Sequence, residues 1–238
     1  FGNSSSRIFC VKVGHLRQMA ELPEALAHRF FALRHGRSEA NVAGIISSDP
    51  EVSTRTHGLA PEGKRQADQA GKALADAIAA GSQPSTPPGV AIISSDFLRA
   101  KETAVAVAGA LADADVKLFG EAVQFDVRLR ERYFGDFNGT IDSNYQLVWA
   151  CDTEDSSHTE YGVESVDDVR KRVIGLVVEM DNMLPEGWWC ILVAHGDVLQ
   201  IMQTAFARMD ARRHRELPHL ETATLRELQL EIVACIST

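Results

Sequence analysis

Phe30-Phe31-Ala32-Leu33-Arg34-His35-Gly36 and Cys190-Ile191-Leu192-Val193-Ala194-His195-Gly196 share one plan: an apolar run that stops at His-Gly. In the first, an Arg stands directly before the His. A run as short and apolar as Arg29 to Leu33 predicts a buried strand rather than a helix of its own. An imidazole delivered at a strand end suits attack on phosphorus. Neutral His supplies the nucleophile, and the neighbouring guanidinium holds the anionic oxygens. Gly36 lacks a side chain, which predicts close approach of a ligand to its backbone. Two such strand ends in one chain predict one shared pocket.

Further strands are predicted over 90–94, 123–126 and 188–194, with one or two more in the alternating stretch 222–233. Pro61, then Ala67, Ala70, Ala73, Leu74, Ala77 and Ile78, describe an amphipathic helix that ends at Gly81. Ser95 or Asp96 can cap a second helix that carries Arg99 to about Ala112. Residues 166–184 and 197–207 read as two more helices. Residues 41–57 are a polar, periodless loop long enough to border a pocket, and the irregular 141–158 segment is an insertion over it. Strand and helix alternate throughout, so the expected architecture is α/β, a three-layer α/β/α sandwich. Catalytic side chains at strand ends agree with where open α/β sheets place ligands.

A chain of 238 residues fits one sizeable domain, taken as 29–238, behind an extension over 1–28. Within that extension 7–13 could make an edge strand and 17–28 has helical character, while Phe1 to Ser6 reads as a possible tag remnant. The net charge of −9 argues against a nucleic-acid partner, which needs a broad basic face. It leaves phosphate substrates open, because a few Arg in a cleft reverse the local potential. Cys10, Cys151, Cys190 and Cys235 stand far apart, which suits a reducing compartment and indicates neither a zinc site nor a disulfide framework. No apolar run approaches the ~20 residues needed to cross a bilayer, so a cytoplasmic protein without membrane partners is expected.

Leu33-Arg34-His35-Gly36 resembles the signature of the histidine phosphatase superfamily, which includes phosphoglycerate mutases, fructose-2,6-bisphosphatases and broad-specificity phosphatases. The resemblance extends beyond that tetrapeptide. Ser94-Ser95-Asp96-Phe97-Leu98-Arg99-Ala100-Lys101-Glu102-Thr103 looks like the family's second motif, where an Arg opens a helix and reaches the phosphate. Leu129-Arg130-Glu131-Arg132-Tyr133-Phe134-Gly135-Asp136-Phe137-Asn138-Gly139 looks like the third, which supplies the acidic proton donor. Gly162-Val163-Glu164-Ser165 is similar to a Gly-Gly-Glu-Ser segment of the smaller phosphatases, and Val193-Ala194-His195-Gly196 completes the set. The motifs keep the family's order over roughly residues 29 to 230.

The resemblance implies a phosphoglycerate mutase-like fold and a metal-independent phosphoric monoester hydrolase acting on a small phosphorylated metabolite, with no cofactor. It implies His35 as nucleophile, one ring nitrogen free and the other donating to a backbone carbonyl. Arg34, Arg99 and His195 are the implied phosphoryl ligands, His195 being driven toward its cationic form by a bound dianion. Gly196 and Asp197 open a helix whose positive end adds to them. Glu131 is the implied general acid and then base, with a surface carboxylate paired to Arg130 or Arg132 as the alternative. Asp136, or a carboxylate of the irregular 141–158 segment, is the reserve acid. Ser38 and Asn41 match positions that line the phosphate pocket. Glu164 and Ser165 read as the cap of the following helix, and Arg208, Arg212, Arg213, His214 and Arg215 as a solvated helix end.

Three departures separate this chain from the mutases. Arg37 stands where they usually carry Glu, Thr140-Ile141-Asp142 replaces their Lys after Gly139, and Glu154 and Asp155 lie where an Arg-Arg pair would grip substrate. A mutase must retain its intermediate and exclude water, so hydrolysis is the expected outcome. Mutase activity, a non-catalytic binding module and a zinc site built from His35, His195 and Glu131 are the alternatives. Arg37 is either a cation at the pocket mouth or a surface residue.

Overall fold

Side chains of a strand emerge alternately on two faces, and an apolar run with no polar alternation must therefore be covered on both. That is how the two His-Gly strands are used. The computed structural model describes residues 21–80, 87–120 and 122–231. β1 (Arg29–Arg34) leads through the short α1 (Glu39–Ala43) and α2 (Pro50–Ser53) to the long α3 (Pro61–Ala79). β2 (Val90–Ser94), α4 (Leu98–Asp113) and β3 (Gln124–Phe125) follow. The chain then runs through α5 (Tyr145–Glu154), α6 (Val166–Met183), β4 (Trp189–Ala194), α7 (Gly196–Phe206) and β5 (Leu225–Leu228). The sheet order is β3-β2-β4-β1-β5, with β5 antiparallel to β1 and the other pairs parallel.

Phe30, Ala32, Cys190 and Leu192 point to one face and pack with Val173 and Val177 of α6 and Val198 and Met202 of α7. Phe31, Leu33, Ile191 and Val193 point to the other and pack with Leu74 and Ile78 of α3 and Val107 and Leu111 of α4. The expected three-layer α/β/α sandwich is the result. Each large apolar side chain buried this way contributes roughly 1.5–3 kcal/mol, and central β4 is buried at all six positions.

Differences from the sequence reading lie in the short elements. β3 is two residues long, because the Asp126 carboxylate accepts from Arg128 N and turns the chain into a 3-10 turn. Residues 41–57 are not all loop: α2 forms on an Asp49 cap with Pro50 at its first position, too short to show periodicity. The 141–158 segment holds a 3-10 turn at Asp142–Asn144 and then α5. Phe97, not Ser95 or Asp96, stands at the cap of α4 and makes no side-chain cap bond. Asp96 is drawn off by Arg130, and Ser95 accepts from Phe97 N. The alternating 222–233 stretch gives one strand in its described part, and α3 stops at Ala79. In the extension, 21–28 is not helical, although Leu22 joins the core; the expected edge strand at 7–13, the remainder of that helix and the tag remnant lie outside the described residues.

Candidate active site

The parallel register pairs Arg34 with Ala194, and His35 N donates to Ala194 O at 3.1 Å, so the two strand ends finish level. This brings the His35 and His195 rings to a centroid separation of 5.0 Å. His35 Nδ1 donates to the Gly36 carbonyl at 2.7 Å, which fixes the tautomer and leaves Nε2 as the lone-pair nitrogen. Arg99 Nε donates to that Nε2 at 3.1 Å. Burial, then Arg99, then Arg34 hold the His35 pKa well below the ordinary imidazole value, so the ring is neutral and nucleophilic.

Gly36 is required by the backbone packing itself. A Cβ there would lie 2.5 Å from Gly63 O, so the glycine lets the strand end pass against the start of α3.

His195 is fully buried, and the Ser95 hydroxyl, 2.9 Å away, can donate to its Nε2. The ring then carries its proton on Nδ1, which is buried and has no partner. Burial and Arg99 depress its pKa strongly, so it is neutral here; the cation expected with a dianion needs that dianion's charge.

Arg34 Nη1 is held by His219 Nε2 at 2.6 Å and Leu220 O at 2.9 Å, and its Nε is buried without a partner. Arg99 spends Nε on His35 and Nη2 on Ser47 O, leaving Nη1 buried without a partner. Burial lowers the Arg99 pKa to about 10, which still leaves a full cation near neutrality. Gly196 lets the first turn of α7 come close: a Cβ would lie 3.1 Å from His219 Cε1 and 3.6 Å from Arg34 Cζ.

Glu131 is not the surface carboxylate of the alternative reading. It is 9% exposed, and its would-be partners are engaged elsewhere: Arg130 forks onto Asp96 and Arg132 onto Asp152. Burial, reinforced by the negative charge of Asp197, pushes the Glu131 pKa up to about 7. A carboxyl poised there can both give and take a proton.

These groups line one cavity of ≈ 410 Å³ that takes in His35, Arg34, Arg99, Glu131 and Gly196, with Ser38 and Asn41 at its side. Ser38 and Asn41 also form the capping box of α1, which sets their positions. The His195 ring is buried against His35 and is not itself among the lining residues. Ser165 accepts from Asp168 N and caps α6 as read, while Glu164 pairs with Arg172. Arg37 pairs with Glu62 at 2.9 Å, and both side chains are about half exposed, so it takes the surface reading. Asp136 is not among the lining residues.

The basic 208–215 cluster divides. Arg212 and Arg213 are exposed on Asp210 and Glu216, but His214 is buried and Arg215 lines the cavity. Sequence reasoning also missed Tyr145 and Trp149, which line the far wall from α5 and stack on each other at 5.2 Å. Their four-residue spacing is the one local signal that could have shown a helix offering both rings to one side. Behind them Arg132 binds Asp152 through two bonds of 2.7 Å, His158 adds 2.6 Å to the same carboxylate, and Trp149 Nε1 donates to Asp197 at 3.0 Å. Among the described residues no group of His, Cys, Asp and Glu is arranged to hold a metal ion.

Comparison with known proteins agrees with this geometry. The model of the histidine phosphatase superfamily (branch 1) matches residues 30–232. A glucosyl-3-phosphoglycerate phosphatase of Mycobacterium tuberculosis is 30% identical over 198 residues, covering 77% of each chain. Its counterpart from Mycolicibacterium vanbaalenii is 31% identical over 191 residues, covering 74% of this chain and 73% of its own. Among solved structures, a mycobacterial glucosyl-3-phosphoglycerate phosphatase in complex with VO3 superposes with a TM-score of 0.64 at 26% identity, over 84% of this chain and 92% of that one.

Proposed function

The chain belongs to the histidine phosphatase superfamily, branch 1, and from that premise we propose how its residues divide the work of hydrolysing a small phosphorylated metabolite. The observation that carries the assignment is the set of three buried donors without protein partners, Arg34 Nε, Arg99 Nη1 and His195 Nδ1. An unpaired buried donor costs about 1–3 kcal/mol, and a phosphoryl group with oxygens to share relieves all three together.

His35 Nε2 attacks phosphorus, and the bond from phosphorus to the leaving oxygen breaks. The protonated Glu131 gives its proton to that oxygen, so the product leaves as an alcohol rather than an alkoxide. Arg34, Arg99 and the first turn of α7 take up the charge on the equatorial oxygens, and His195, taking a proton from solvent as the dianion binds, adds its own positive charge. Glu131, now a carboxylate, accepts a proton from water while the water oxygen attacks phosphorus. The N–P bond breaks, returning neutral His35 and inorganic phosphate. Ser38, Asn41 and Gly196 shape the pocket around the transferring group.

The catalytic unit is taken as residues 29–238 behind the 1–28 extension. The acidic balance of the chain supports a small-molecule partner over a nucleic acid. Among the described residues no helix is long and apolar enough to cross a membrane, and Cys151 and Cys190 are unpaired, which supports a cytoplasmic setting. Glucosyl-3-phosphoglycerate, named for the relatives, is the first compound to assay. Phosphate release from an aryl phosphate, inhibited by vanadate, is expected, together with an acid-labile, alkali-stable phosphoenzyme on rapid quench. Turnover with no trappable phosphoenzyme under conditions where its breakdown is slow would overturn the mechanism.

A further inference from the structure

Arg215 stands apart from the other cations of the pocket. It lines the same cavity as Arg34 and Arg99, but its guanidinium packs on the α5 wall, whereas Arg99 donates to His35. Its guanidinium sits over Trp149, with Cζ 3.6 Å from the ring centroid. Trp149 is fixed in turn by its N–H bond to Asp197 and its stacking on Tyr145, so the platform under the cation is rigid. One corner of the guanidinium is used: Nη1 donates to Gln200 Oε1, and the Gln200 amide is oriented by its own bond to Leu217 O at 2.7 Å.

The opposite edge is open. Among the described residues no hydrogen bond falls on Arg215 Nε or Nη2, although the side chain is only 29% exposed and lines the cavity. In this same chain that edge grips carboxylates elsewhere: Arg130 on Asp96, Arg172 on Glu164 and Arg212 on Asp210 each use Nε and Nη2. The nearest protein anion does not fill the role, since Asp197 is 3.8 Å from Arg215 Nη1. Its charge is already shared with Arg132 and His214.

We infer that Arg215, braced on Trp149, is a carboxylate subsite, so that the substrate is a small phosphomonoester carrying a carboxylate apart from its phosphate. The inference rests on the phosphatase reading of the same pocket. A planar two-donor edge matches the two oxygens of a carboxylate. A second phosphate dianion would call for further cations, and here it would meet the Asp197 carboxylate instead.

Two compounds test this with almost no change of shape: 3-phosphoglycerate and glycerol 3-phosphate differ only by a carboxylate in place of a hydroxymethyl group. The wild-type kcat/KM is expected to favour 3-phosphoglycerate by 10-fold or more. In Arg215→Gln that preference should fall by roughly 10- to 100-fold, the weight of a charge-assisted bidentate contact. Arg215→Lys should recover only part of it, because an ammonium lacks the fork. A wild-type enzyme that treats the two compounds alike overturns the subsite whether or not any variant folds. So does a preference that survives in Arg215→Gln, or a stronger preference for propane-1,3-diyl bisphosphate. Hydrolysis of an aryl phosphate by His35→Ala would instead defeat the phosphatase reading itself; loss of that activity with a flat preference defeats the subsite alone.

Discussion

The two halves of the pocket treat their polar groups in opposite ways. On the strand-end side, backbone register fixes His35 and His195, and three buried donors of Arg34, Arg99 and His195 are left without protein partners. On the α5 side, Arg132, Asp152, His158, Asp197 and Trp149 bond mostly to one another, although His158 Nδ1 and the neighbouring His214 Nε2 are buried without hydrogen-bond partners and the Arg215 edge is open. A strand end is held by sheet hydrogen bonds, so its side chains can wait unpaired for a ligand. A wall built from a ten-residue helix has no such support and must be tied down by its own side chains. The proposed chemistry thus falls where the main chain is rigid, and the proposed recognition falls where a side-chain network makes it rigid.

The comparison breaks most sharply at His35. His35→Ala removes the attacking atom while Arg34, Arg99 and His195 stay in place, so binding should persist and turnover should not. A loss of phosphate release on the order of 10⁴- to 10⁶-fold is expected, as for deletion of other covalent nucleophiles. Steady-state assay, with vanadate binding measured separately, checks it; retained turnover would remove His35 from the mechanism.

Glu131→Gln is next, with a loss of about 10²- to 10⁴-fold on an alkyl phosphate and a smaller one on an aryl phosphate whose leaving group needs no proton. In the wild type, kcat/KM should decline as pH rises through about 7, because the first step needs the protonated carboxyl. The variant should lack that limb. Wild-type stability should fall over the same pH range, so the variant should lose activity and gain stability there. A carboxyl whose folded pKa lies above its unfolded value contributes fully below about 4.5, and that contribution is lost as pH rises through about 7. Glu131→Gln should therefore be more stable than wild type at pH 8, by up to about 3 kcal/mol, and little different at pH 4.5. Urea unfolding at the two pH values reads the difference, and equal differences would mean that Glu131 titrates normally.

The network behind α5 is tested by Asp152→Ala. Removing this carboxylate leaves Arg132, whose side chain is fully buried, with Asp197 as its remaining charged partner. Uncompensated buried charge costs about 3–5 kcal/mol, to be read as a fall in the urea midpoint. The Tyr145–Trp149 wall should loosen with it, raising KM for a natural substrate more than it lowers kcat for an aryl phosphate. A variant of wild-type stability would show that the wall does not depend on this pair.

The same contrast explains what could be read from the chain alone. Apolar strands ending in His-Gly, a Pro-led helix and the order of five motifs are local, and they carry the three-layer fold and the residues of the strand-end half. Arg215 lies in a stretch whose local pattern is that of a solvated charge run, His219 follows it with no local signal, and only the return of the chain beside α7 makes them pocket residues. Asp152 and Arg132 are twenty positions apart with no periodicity linking them. The contact of Gly36 with Gly63, at the start of α3, is likewise long-range and leaves no local signal.

Arg37 marks the edge of the strand-end half, and it should show the smallest effect. Two residues beyond His35, it could have reached the pocket, but its side chain pairs with Glu62, and the two are 46% and 48% exposed. A pair that open to water is screened and worth at most about 1 kcal/mol. The local backbone does not depend on it, since Arg37 N donates to Gln66 Oε1 and Ala60 N donates to Arg37 O whatever the side chain. Arg37→Ala should therefore shift stability by less than about 1 kcal/mol. It should leave the relative kcat/KM of mono- and bisphosphorylated substrates unchanged within about two-fold, since a surface pair makes no differential contact with the transition state. Parallel assay of a sugar monophosphate and the matching bisphosphate decides the point. A selective loss on the bisphosphate would put Arg37 at the pocket mouth and extend the strand-end half two residues past the nucleophile.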